Sequence, residues 1–198
     1  MNSHIKMYSI FLLSALTYVS SVTAERLELS GWEKISFAGK TEITATKSQI
    51  HIVSNDSATA YYYKFPEPLR SPFSLSWRWR VSEFTDSNPE DKEHDDYAAR
   101  VYVVFDNFWN SRALNYVAID SLSDKKSWVN PFSSNSLMIP RKVVIGDKWQ
   151  QESALPWEDY ARLFGREPTQ VLGIAVMSDT DNTHGAVEAW YKDIEIDY

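Results

Sequence analysis

The sequence predicts an all-β protein: a two-sheet antiparallel β-sandwich with one short helix near residues 156–164. Three observations predict it. Apolar and polar residues alternate with period two in eight separate stretches. No strand–helix–strand rhythm accompanies them, which argues against a parallel sheet. The 198-residue chain has no cysteine and is 14% aromatic, so its stability rests on a ring-rich core instead of disulfides.

Taken in order, SQIHIV (48–53) and ATAYYYKF (58–65) read as strands bounded by Ser, Asn and Pro. LSWRWRV (75–81) puts Leu75, Trp77, Trp79 and Val81 on one face, with Ser76, Arg78 and Arg80 on the other. A charged loop, TDSNPEDKEHDD (85–96), follows. ARVYVVF (99–105) sets Ala99, Val101, Val103 and Phe105 against Arg100, Tyr102 and Val104. NYVAID (115–120), RKVVIG (141–146), VLGIAVM (171–177) and VEAWYKDIEI (187–196) complete the strands. In PWEDYARLFG, Pro156 suits the first helical position, and Gly165 suits the end. Trp157, Tyr160, Ala161 and Phe164 form the apolar stripe of this helix. Trp77, Trp79, Phe105 and Trp190 are expected in the core. Trp109, Trp128 and Phe132 fall in loops, the last two in SLSDKKSWVNPFSSNS (121–136), where a flat ring can stack on a sugar.

The start of the chain reads as a cleaved export signal over residues 1–24. Lys6 gives a basic start, Met7–Val19 is mostly apolar, and Val22-Thr23-Ala24 suits a signal peptidase. The apolar run is shorter than the roughly 20 residues a membrane span needs. The expected mature chain, Glu25–Tyr198, is then one exported domain, periplasmic or secreted. The net charge of −7 disfavours nucleic acid and anionic membranes as partners.

Candidate chemistry lies in three places. If WRWRV and AARVYVVF are sheet neighbours, Arg78, Arg80 and Arg100 share a face. Their candidate partners are Asp95, Asp96, Asp179, Asp181 and Glu188. Such a set either grips polar or anionic groups through bidentate arginines or forms a structural ion-pair network. Asp179, Asp181 and Asn182 alternate as oxygen ligands for calcium do, and equally as Asx residues of a turn do. No other cofactor is called for. His94 and His184, with the carboxylates, would suit zinc if the two acidic loops meet. Asp96 and Asp181 are then the pair available for general acid and base work. GxSxG, HExxH and phosphate-loop motifs are absent from the sequence, so those enzyme classes gain no support.

Five motifs in order, WRWRV (77–81), DDYAARVYVVF (95–105), ALNYV (113–117), DYARLFG (159–165) and GIAVMSDTDNTHGAVEAWYKDI (173–194), resemble a bacterial exported family known only as a domain of unknown function. The resemblance runs from about Trp32 to Ile194 and implies no activity. The closing AWYKDIEI is also similar to the last strand of galactose-binding-like jelly-rolls, which implies a jelly-roll form of the sandwich. Where the family pattern has a small residue this chain has His94, so zinc is not a shared feature.

Three functional readings follow. The first is an envelope module that binds a glycan or other polar ligand through Arg78, Arg80, Asp95, Asp96, Arg100, Asp179, Asp181 and Trp128. The second is a polysaccharide hydrolase or lyase using Asp96 and Asp181 around Arg100. In the third, the polar cluster only stabilises the fold. Ligand identity and oligomeric state are not legible in the sequence.

Overall fold

A computed structural model describes residues 24–83, 91–106, 111–120 and 126–198. Residues 1–23 of the expected leader, the 84–90 part of the charged loop, and Trp109 lie outside the described residues. In chain order the strands begin with β1 (Ala24–Arg26), β2 (Glu33–Ala38), β3 (Glu42–Ala45), β4 (Gln49–Asn55), β5 (Ala58–Leu69) and β6 (Ser74–Val81). After a 3-10 turn at Lys92–His94 come β7 (Arg100–Phe105), β8 (Arg112–Ile119), β9 (Trp128–Asn130), β10 (Ser133–Lys142) and β11 (Gln150–Ala154). Helix α1 (Pro156–Phe164), β12 (Val171–Asp179) and β13 (Ala186–Asp197) complete the fold.

The strands form two packed sheets. One runs β11-β6-β13-β4-β3, with β1 also pairing β13; the seven-stranded other runs β2-β5-β12-β7-β8-β10-β9. The pairing of β8 with β10 is parallel, and the other described pairings are antiparallel. The period-two strands bury their apolar faces between the sheets. Trp77 and Trp79 are fully buried and meet edge to face, centroids 5.5 Å apart; Tyr191 lies beside them on β13, and Val101, Val103, Phe105, Ile174 and Val176 close the core from the facing sheet. Pro156 opens α1, Gly165 ends it in the left-handed region at φ 68°, and Tyr160 is its buried contact.

Three structural expectations change. RKVVIG is not a strand beyond Lys142. β10 follows β8 only that far, and the Gln150 side chain then takes both backbone groups of Val144, at 2.8 and 2.7 Å, closing a turn. Residues 128–136 are not loop: β9 and the start of β10 form a hairpin there. Trp190 is outside the core. Val187, Ala189 and Tyr191 take the inner face of β13, so Trp190 lies outward, stacked on His51.

Candidate functional site

A groove of about 520 Å³ crosses the outer face of the seven-stranded sheet. Alternation explains its floor. On β5 the outward residues are Ala58, Ala60 and Tyr62; on β12, Ala175 and Met177; on β7, Tyr102 and Val104; on β8, Ala113. Alanines at four positions of the floor leave a trough that larger side chains would fill. Gly173 has a particular role: a Cβ there would meet the Tyr62 ring at 2.6 Å and would collide with the Tyr63 carbonyl. Only glycine lets the Tyr62 ring lie across β12. From Arg100 to Val104 the trough follows five residues of β7, four rises or about 13 Å at the usual strand rise.

Two exposed rings stand at its rims. Phe37 (65% exposed) comes from β2, on the same face as Ile35 and at the point where the register shifts between Ser36 and Ala38. Phe132 (57% exposed) sits in the tight turn between β9 and β10, held by its N–H donating to Asn130 Oδ1 at 2.8 Å. Beside the groove, Tyr97, Val117, Ile119, Trp128 and Met138 pack into a small buried cluster on the same face.

The acidic end is built around Arg100, which is 2% exposed. Its Nε donates to Asp179 Oδ1 at 2.8 Å, and its Nη2 donates to Asp179 Oδ2 and to the Asp95 carbonyl. Nη1 donates to the Tyr102 hydroxyl at 3.4 Å, and the guanidinium lies 4.6 Å over the Tyr97 ring. The Tyr97 N–H adds a third donor to Asp179, at 3.0 Å. The backbone here is fixed from across the core. The Tyr191 hydroxyl, on β13, accepts from the Arg100 N–H at 3.1 Å and donates to the Met177 carbonyl at 2.7 Å. Asp96 ties down the turn after β12, its two oxygens accepting from Asn182 N–H (3.2 Å), Thr183 N–H (2.6 Å) and Thr183 Oγ1 (2.6 Å). Burial pushes the Asp95 and Asp181 carboxyls up from the ordinary carboxylate range. It pushes Asp179 up to about 7, against the pull of Arg100. Asp179 and Asp95 in turn hold the Arg100 guanidinium charged despite its burial.

The structure thus gathers Asp95, Asp96, Arg100, Asp179, Asp181 and Asn182 at one end of the groove, and separates the rest. Arg78 and Arg80 do not join Arg100. Strands β6 and β7 belong to different sheets, so the two groups face opposite sides of the sandwich. Arg78 reaches Asp193 at 3.6 Å, and Arg80 lies over Trp190 at 4.1 Å. Trp128 is no exposed loop ring; it is buried in β9. Glu188 pairs with His51. His94 bonds Asp91 and His184 bonds Asp56, so neither belongs to the carboxylate group of Asp96, Asp179 and Asp181. Those three each bring an oxygen within 4.8 Å of the others. With both Asp179 oxygens on Arg100 and both Asp96 oxygens on the turn, a calcium ion would draw on Asp181 and competing lone pairs. Asp96 does not line the groove, and its committed oxygens suit a turn brace better than an acid or base.

Sequence reasoning missed the trough itself: Phe37, Tyr62, Tyr102, Met177, Ser136 and the alanines. One signal was present. In ATAYYYKF the alternate residues Ala58 and Ala60 are small where an outer strand face normally carries polar side chains.

The site is thus a trough on one outer face of a two-sheet sandwich, closed at one end by a buried polar cluster. The chain belongs to the family described as "Protein of unknown function (DUF3047)", whose model matches residues 30–195. No curated protein matches it. Among solved structures it is similar to a family 11 carbohydrate-binding module from Clostridium thermocellum, with 13% identity, 89% of this chain and 95% of that chain covered, and a TM-score of 0.44. A family 30 carbohydrate-binding module gives 11% identity, 85% and 92% coverage, and a TM-score of 0.46. Endoglucanase 3 of Trichoderma harzianum gives 8% identity, 92% and 99% coverage, and a TM-score of 0.44.

Proposed function

We propose that this protein is an exported binding module that holds a glycan chain in the groove on the seven-stranded sheet. The observation that carries the reading is the trough itself: a small-residue floor between the rings of Phe37, Tyr62, Tyr102 and Phe132, with hydrogen-bonding groups at its ends. Sugar rings present apolar C–H faces and hydroxyl edges. A flat apolar floor with aromatic rims takes the first, and the polar ends take the second. Export enters through the leader pattern of residues 1–24.

The test is a glycan screen with the purified mature chain, followed by Phe132→Ala and Phe37→Ala. Each variant should weaken a hit by about tenfold, the scale of one lost ring contact, and leave the melting temperature unchanged because both rings are solvent-exposed. Absence of any reproducible hit removes the reading.

A second reading places calcium among Asp179, Asp181 and Asn182, supported by the convergence of carboxylate oxygens around Asp181. Under it, millimolar calcium raises the melting temperature and chelator reverses the rise. An unchanged melting curve rejects the ion.

A further inference from the structure

Four carboxyl groups, of Asp95, Asp96, Asp179 and Asp181, gather around the single guanidinium of Arg100. That guanidinium has little left to offer a ligand. Nε, Nη1 and Nη2 are all engaged, by Asp179, the Tyr102 hydroxyl and the Asp95 carbonyl. What remains unsatisfied is on the acceptor side. Asp95 is 2% exposed and lines the groove; its Oδ2 lies 3.5 Å from Arg100 Nη2, while its buried Oδ1 has no hydrogen-bond partner. Asp181 and Asn182 line the groove beside it. Toward the other end, Ser136 is 8% exposed, lines the groove and also has an unpartnered oxygen. A buried carboxylate oxygen left without a donor is costly, so this one is matched to a donor arriving from the groove.

We propose that the acidic end of the groove takes a primary ammonium group, with Asp95 Oδ1 as its principal acceptor, so that the glycan bound is an amino-sugar chain bearing free amines. The inference rests on the glycan reading above and names the substrate class within it. An ammonium fits better than a bare metal ion. It carries three N–H donors and needs about three acceptors, which Asp95, Asp181 and Asn182 can supply. Calcium takes 6–8 oxygens, and the oxygens of Asp96 and Asp179 are already committed. An anionic sugar is disfavoured, because it would meet an unpartnered carboxylate oxygen with three further carboxyl groups around it, while four of the five guanidinium N–H donors are already in use.

The experiment is calorimetric titration, in chelator-containing buffer, with three β-1,4-linked tetrasaccharides: of glucosamine, of N-acetylglucosamine and of glucose. The proposal expects the glucosamine chain to bind at least tenfold more tightly than the other two. Asp95→Asn, which keeps the side-chain shape, should abolish that preference, so that the glucosamine chain binds no more tightly than the two neutral chains. Asp181→Asn should reduce it, and serves as the second variant if Asp95→Asn fails to fold. Phe132→Ala should weaken all three chains together. General attraction of an amine to an acidic protein would survive Asp95→Asn, so a preference that persists in that variant overturns the inference. Equal binding of all three chains also overturns it while the groove reading stands. Binding of none overturns the inference, and the wider glycan screen then decides the groove reading separately. A preference that appears only when calcium replaces chelator assigns the site to a metal and overturns the ammonium.

Discussion

The two outer faces of this sandwich carry arginines in the same alternating pattern and use them in opposite ways. On the six-stranded sheet, His51, Trp190, Arg80, Trp149 and Lys192 form a stacked row. His51 lies parallel to Trp190 with centroids 4.6 Å apart, the Arg80 guanidinium is 4.1 Å from Trp190 and 5.4 Å from Trp149, and Lys192 is 4.3 Å from Trp149. Long side chains pave that face and leave the charges half in water. On the seven-stranded sheet alanines stand between the larger side chains of Tyr62, Tyr102 and Met177, so the face keeps a trough. Arg100 is instead sealed at one end among carboxylates. The choice between cladding and cavity is made by the small residues on adjacent strands, not by the arginines.

The comparison can be broken most directly by deleting each arginine. Arg100→Ala should destabilise the protein by about 3–5 kcal/mol, since it strands a buried carboxylate. Arg80→Ala should cost about 1 kcal/mol, the scale of a partly desolvated cation–π contact. Denaturant unfolding of the two variants measures both, and equal losses would remove the distinction between the faces. A pH series sharpens it further. Asp179, held at about 7 by burial, has a folded pKa above its unfolded value of about 3.9. Its protonated form therefore favours the folded state, with the full contribution present below about pH 4 and lost as pH rises through 7. The melting temperature should fall across that window in the wild type, and Asp179→Asn should flatten the slope. The smallest effect belongs to Arg78→Ala, which should stay within about 0.5 kcal/mol because the side chain is largely solvated.

Much of the fold was legible, because strands buried on one side alternate strictly. LSWRWRV and ARVYVVF announce both their inner faces and the outward position of their arginines. What alternation cannot give is which strands are neighbours. β6 and β7 adjoin in sequence but lie in different sheets, so Arg78 and Arg80 are separated from Arg100. The short edge strands β2 and β3, mostly exposed, lacked an apolar period to reveal them. RKVVIG misled because Val144 and Ile145 are apolar yet exposed. At the site, the DTDNT turn and HDDYAAR were visible as polar clusters, since aspartates at strand mouths have few other roles. The trough was not visible, because a cavity is defined by small residues on strands distant in sequence: Ala58 and Ala60, Ala113, Ala175.

The central claim is that the alanine-floored face binds ligand and the tryptophan-clad face does not. Methyl NMR of alanine- and methionine-labelled protein tests it directly, titrated with whichever glycan the screen returns. The account predicts that the methyl signals of Ala58, Ala60, Ala175 and Met177 shift together and saturate with one dissociation constant. Unmoved floor methyls, with changes confined to the indole signals of Trp149 and Trp190, would contradict it and place binding on the opposite sheet.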